Sequence, residues 1–294
     1  MEEKKAKDKI RVGVLRGGAG KHYASSLLKG GEIISYIFEN LGDTYKPVDI
    51  LIDKEGIWHL GGVPVEPAKL LYKVDVVWNT SHPSFSNILQ SFSIPNVGIP
   101  PFYKFFGENK ETLQKHLKKI GLPIPRYIIS PKNAKEVFEK FSAPWIVKSF
   151  TEDSNLEISL VKTFPELVNT IYEGVKYGKS ILVEEFIGGK VASLHSVPLF
   201  RGQDIYVFPL GNTFGNFSLK EKEKLANLTK ILHNHLGAKH YLKSDFVLNK
   251  RGKVYLLGID VNPDLKMDSH FSEVCEYVGT KTHHVVKHIL DSAL

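Results

Sequence analysis

The chain has 294 residues, 42% of them hydrophobic and 24% charged, with a net charge of +7. A chain of that size and balance folds into two or three domains around more than one core, which excludes an intrinsically disordered protein. Its one cysteine, Cys275, excludes an internal disulfide and a multi-cysteine zinc site, and the setting SHFSEVCEYVG predicts a buried structural thiol on an amphipathic helix. The charged start MEEKKAKDK has no apolar segment of the kind a secretory signal needs, and no apolar run is long enough to span a bilayer, so the cytoplasm is the expected location. The lysines are dispersed, which reads as a solvated basic surface. Attraction to polyanionic small molecules, or to nucleic acid through charge alone with no recognisable motif, are the other readings.

In chain order, IRVGVL (residues 10–15) predicts a strand that ends in the turn Gly17-Gly18, followed by a helix from Tyr23 to Leu41. KPVDILID predicts a strand, IWHLGGVPV a hairpin-like excursion, VDVVWNT a buried strand, SFSNILQSF a short helix and IPNVGIP a strand. Strands alternating with helices predict a parallel, Rossmann-like first domain over residues 1–105. A lysine-rich helix from Asn109 to Ile120, stopped by Gly121 and Pro123, opens a compact α+β piece over 106–183, with strands at RYIIS, PWIVKSF and SILVEEFI and a helix at FPELVNTIYEGVKYG. The third piece, 184–294, carries a long helix from Ser218 to His235. It also has two strands joined at Asn249-Lys250-Arg251-Gly252, which predict an antiparallel pair, and two closing helices from about 270 and 281.

Four landmarks carry a resemblance: GVLRGG, then NKETLQKHLKKIGLPIP, then WIVKSF followed by ILVEEFIGG, and last SDFVLNKRGKVYLLGIDVNP. In this order and spacing the whole chain resembles the D-alanine–D-alanine ligase branch of the ATP-grasp superfamily. The resemblance implies an α/β ATP-grasp fold: a Rossmann-like N-terminal domain and two α+β subdomains that clamp ATP. It implies ATP-dependent ligation of amino-acid-like substrates through an acyl phosphate, in cell-wall peptidoglycan biosynthesis, with Mg²⁺ as cofactor and commonly a homodimer. Lys110 and Lys148 match the two lysines that approach the phosphates as point charges. Lys110 alone reads equally as a solvated helix lysine, whereas Lys148 ends an apolar strand where an ammonium is costly without an anion. Glu184, Glu185, Phe186 and Ile187 match the strand that holds the adenine, and Ser154 matches a serine of the loop over the phosphates.

The metal ligands match in part. Asp245 and Asp260 stand at two of the expected positions, but Gly258 replaces the carboxylate that would bridge two ions, which leaves one Mg²⁺ as the expectation. A basic residue beside the metal aspartate is implied to stabilise the transferring group, and Lys243 takes that place. His22 stands where a glutamate would hold a substrate ammonium, and it reads either as a ligand or as a residue packed on the first helix. Ser269 matches a serine that binds the second substrate's carboxylate.

Other positions depart from the resemblance. The loop after Lys148, TEDSNLE, is acidic and lacks glycines, the ribose-binding acid is Val191, the closing loop is shortened to LGNTFGNFSLKEK, and Asp264 replaces a turn glycine. Two readings therefore stay open: a ligase with altered substrates, or a catalytically degenerate ATP-grasp chain that binds a nucleotide or scaffolds a partner.

Overall fold

The computed structural model describes residues 8–20, 23–98, 110–150, 156–211 and 216–294; for residues 110, 149, 150, 156 and 157 only the backbone is described. Among the described residues the strands form three sheets, one of six strands and two of four.

The first sheet has the order β4-β3-β2-β1-β5-β6. Strands β1 (Ile10–Gly17), β2 (Tyr45–Ile52), β5 (Val76–Asn79) and β6 (Asn96–Val97) run parallel, while β3 (Trp58–Leu60) and β4 (Val63–Pro64) form an antiparallel hairpin on the β2 edge. The expected parallel core and hairpin excursion are both present. Helix α1 (Tyr23–Leu41) buries Ser26, Gly30, Ile33, Ile37 and Leu41, a spacing of three and four residues that keeps one helical face on the sheet. Gly30 permits that approach, because a Cβ there would lie 2.6 Å from the Cβ of Arg16 on β1. Helix α2 (Pro83–Ser91) follows β5, with His82 as its N-cap.

Helix α3 (Lys110–Lys119) precedes the second sheet in sequence, yet Leu113 and Leu117 pack into the core under the third sheet. The second sheet, ordered β7-β10-β8-β9, contains β7 (Tyr127–Ile129), β8 (Trp145–Phe150), β9 (Leu156–Val161) and β10 (Ser180–Glu185), all antiparallel to their neighbours. Two elements here are not expected from sequence: β9 and the short helix α4 (Ala134–Lys140), which starts where the Asn133 side chain accepts from the Glu136 N–H. Helix α5 (Phe164–Lys176) opens with a capping box between Thr163 and Glu166.

The third sheet is ordered β12-β11-β13-β14: β11 (Gly189–Pro198), β12 (Ile205–Val207), β13 (Leu242–Asn249) and β14 (Val254–Asp260). Helix α6 (Leu219–Leu236) starts in a capping box at Ser218 and ends at Gly237 in the left-handed region, and it packs Leu225, Leu232 and Leu236 against one face of the sheet. The chain closes with α7 (His270–Tyr277) and α8 (Thr282–Asp291). Cys275 is fully buried, and burial pushes its thiol up to about 12, so it is the structural thiol its helix predicts. The first and third sheets share one core: Val12, Val14, Ile33, Ile37 and Trp78 pack with Val197, Phe208, Phe271, Val285 and Ile289. Among the described residues no helix is long and apolar enough to cross a membrane.

Candidate functional site

Alternation along β8 and β10 sorts the second sheet into two faces. Trp145, Val147, Ile181 and Val183 fill the core, so Ile146, Lys148, Leu182 and Glu184 point to the other side. On that second face Lys148 Nζ lies 2.6 Å from Glu184 Oε2, and both side chains are largely withdrawn from solvent. The next residue alternates away: Glu185 takes a two-pronged bond from Arg126, at 2.8 and 2.9 Å, and this guanidinium lowers the carboxyl's pKa. Phe186 is partly exposed beyond the strand end, with its N–H on the Pro144 carbonyl. Ile187 is half-buried. Of the residues matched to adenine binding, Glu184 is thus tied to the lysine and Glu185 to an arginine that sequence reading did not single out.

The third sheet concentrates polar groups on the face away from α6. Register pairs Ser193 with Asp245 and His195 with Lys243 on β11 and β13, and Lys243 with Asp260 and Asp245 with Gly258 on β13 and β14. A register shift between Asp245 and Phe246 leaves Leu257 without a partner, so that Leu256 packs in the core while Gly258 and Asp260 both turn to the polar face. The bulge is therefore what sets Asp260 beside Lys243 and Asp245. Asp245 Oδ1 accepts the Ser193 hydroxyl at 2.5 Å and lies 3.4 Å from Lys243 Nζ. Asp260 Oδ1 accepts the Asn262 N–H at 3.0 Å, and its Oδ2 meets Lys29 Nζ, from α1, at 2.6 Å.

A chain of rings runs from this face into the core. Tyr241 is buried, and burial first, then the nearby Asp260 carboxylate, keep its phenol protonated far above the usual range. The hydroxyl lies 2.6 Å from His195 Nδ1, and His195 Nε2 lies 2.7 Å from His270 Nδ1. A phenol that donates to Nδ1 sets the proton of His195 on Nε2, which donates to His270 and leaves the His270 proton on its own Nε2. Burial, then the neighbouring His270 and the Lys243 ammonium, hold His195 well below its usual value; burial and Lys243 lower His270 as well, so both rings are neutral near pH 7. The adjoining Ser269 is the N-cap of α7: its hydroxyl donates to the Asp264 carbonyl at 2.9 Å and accepts the Ser272 N–H at 3.2 Å. Its oxygen is thus already committed to the helix start. His22, Ser154 and the Lys110 side chain lie outside the described residues, as does the acidic loop at Glu152 and Asp153.

No protein-family model matches the chain. A D-alanine–D-alanine ligase of Geobacter sulfurreducens is 24% identical over 308 aligned positions, spanning 96% of this chain and 94% of the relative. Among solved structures, the D-alanyl-alanine synthetase A of Vibrio cholerae aligns over 97% of this chain and 98% of its own with a TM-score of 0.70 and 16% identity. A D-alanine–D-alanine ligase of Bacillus anthracis complexed with ATP aligns over 98% and 97% with a TM-score of 0.68 and 16% identity. The chain is a divergent relative of the D-alanine–D-alanine ligases. It has their ATP-grasp fold.

The residues on the third sheet do not fit a divalent ion as they are arranged in this ligase relative. Mg²⁺ asks for several oxygens at about 2.1 Å in octahedral array. The two carboxylates expected to hold it are each engaged by an ammonium, and Gly258 brings no third. Among the described residues no group of three or more His, Cys, Asp or Glu side chains is placed to hold a metal. Gly258 is not forced by crowding, since the one atom near a Cβ there would be Asp245 Oδ2 at 3.9 Å. Sequence reasoning missed Lys29, whose partner lies 231 residues away, and it missed the Tyr241–His195–His270 chain; no local motif announces either.

Proposed function

We propose that the chain is an ATP-dependent carboxylate–amine ligase whose substrates differ from two molecules of D-alanine. The observation that carries this reading is the close pairing of Lys148 with Glu184 on the non-core face of the second sheet, on the two strands that the resemblance assigns to phosphate and adenine. Likeness to ligases over nearly the whole length of both chains supports it. Glu184 holds the lysine ammonium on that face at 2.6 Å, so it is positioned before a phosphate arrives. A substrate carboxylate oxygen attacks the terminal phosphorus, ADP leaves, and an acyl phosphate forms. An amine then attacks the carbonyl carbon, the amide bond forms, and inorganic phosphate leaves. Lys243 supplies positive charge to the phosphoryl oxygens as that charge develops. Lys110 and Ser154, with Phe186 and Ile187 at the strand end, complete the proposed nucleotide site, and His22 and Ser269 border the amino-acid sites.

The engagement of both metal-type carboxylates by lysines favours a second reading, a chain that binds nucleotide without ligating. Phosphate release from ATP, screened across D- and L-amino acids and hydroxy acids, separates the two. Release that requires a particular acid and amine supports the ligase. ATP binding with a silent screen supports the second reading, and failure to bind ATP overturns both.

A further inference from the structure

We infer that Lys29 is a resident cation that takes the place of a divalent metal on the Asp245–Asp260 face. Two ammonium groups, Lys29 at 2.6 Å from Asp260 and Lys243 at 3.4 Å from Asp245, balance the two carboxylates, so the face is electrically complete without an ion. A divalent ion would have to displace one ammonium and then sit beside both, and repulsion between such charges at close range in a partly desolvated site is large.

The contact is built in, since four features fix Lys29 relative to Asp260. One helical turn before it, Ser26 Oγ accepts the Gly17 N–H at 3.0 Å and ties α1 to the end of β1. Next to it, Gly30 lets the helix sit directly on Arg16, which is itself clamped by Asp49 at 2.6 Å through two nitrogens. Two residues beyond Asp260, the Asn262 side chain accepts the buried Trp78 indole N–H at 3.0 Å, joining the first sheet to the third. One turn further along α1, Glu32 meets Lys266 at 3.5 Å across the same seam. The shared apolar core beneath holds the two sheets in one arrangement. Gly258 completes the pattern: a Cβ would meet no crowding there, and the charge a metal would have needed is absent.

One consequence rests on the proposed nucleotide reading: the phosphates of ATP are met by protein ammonium groups, and ATP affinity does not depend on Mg²⁺. The exclusion of the ion stands on the observed contacts alone, and Mn²⁺ without nucleotide tests it. Electron paramagnetic resonance on the full chain reads free Mn²⁺ directly. The wild type is expected to leave it free at concentrations up to about 1 mM, near the weak end of protein sites for hard cations. Lys29→Met and Lys29→Gln, at a half-exposed position, are expected to bind Mn²⁺ at least about tenfold more tightly, a gain of about 1.4 kcal/mol, and Lys29→Arg is expected to stay like wild type. Circular dichroism confirms that each variant is folded. Micromolar Mn²⁺ binding by the wild type that is lost in Asp260→Asn overturns the inference, as does the absence of any gain in folded Lys29→Met and Lys29→Gln. A chain that never binds ATP sinks the proposed function, and the Mn²⁺ titration still decides the role of Lys29.

Discussion

The second and third sheets both present a lysine against a carboxylate, and they do it in different ways. On the second sheet the pair is local: Lys148 and Glu184 sit on neighbouring strands of one sheet, largely withdrawn from solvent, and the geometry follows from antiparallel register. On the third sheet the decisive lysine comes from the helix that packs on the first sheet and begins at residue 23, and it reaches the edge of a sheet that begins near residue 189. A local pair fixes the arrangement of charge on one face of its own sheet. A pair between distant elements makes the charge of that face depend on how helix α1 packs against the third sheet.

The largest effect is expected at the local pair. Lys148→Met leaves the Glu184 carboxylate without its ammonium in a largely buried position, and urea unfolding is expected to show a loss of roughly 3 kcal/mol. Adding Glu184→Gln to that variant is expected to recover part of the loss, because an amide needs no counter-charge. With Glu184→Gln alone measured beside them, a double-variant loss equal to the sum of the two single losses would show that the two groups are not coupled.

The acid side of the stability curve comes next. His233 is buried against Ser196, with its Nδ1 2.8 Å from the hydroxyl, and burial lowers its pKa to about 4 from the usual 6.5. The native state therefore refuses a proton that the unfolded chain accepts. The contribution is full above pH 6.5 and is lost as the pH falls from 6.5 through about 4, amounting to roughly 3 kcal/mol at the acid end. His233→Asn, which keeps a polar atom near Ser196, is expected to flatten the stability profile in that window. An unchanged profile would assign the acid sensitivity elsewhere.

A smaller effect is expected at Ser269. As an N-cap, its replacement by alanine is expected to cost about 1 kcal/mol in thermal unfolding. Ser269→Asp keeps a capping oxygen and recovers that stability, but its negative charge would repel a substrate carboxylate. Recovery of both stability and activity in Ser269→Asp would confine the residue to its helix.

How far the sequence reaches follows the same division between local and distant. Helix α1 runs from Tyr23 to Leu41 as its apolar spacing predicts, and the Asn249–Gly252 turn joins an antiparallel pair as expected. Helix α4 is missing from the sequence-based expectation although its signal, Asn133 at the cap with Glu136 three residues on, is local. Strand β9 is masked because LEISLV follows directly on the acidic stretch after Lys148, where a loop is expected. The bulge at Leu257 is not legible, since nothing in VYLLGID marks which residue loses its partner, although the common face of positions 258 and 260 follows from their spacing alone. The Lys29–Asp260 contact is out of reach for a different reason: it depends on tertiary docking, and nothing in LLKGG marks a partner 231 residues away.

The most direct test of the account is a calorimetric titration of ATP into the full chain, once with Mg²⁺ and once with a chelator. Binding with the same affinity is expected in both. Binding that appears only with Mg²⁺ would contradict it, because a divalent ion would then be doing what the structure assigns to Lys29.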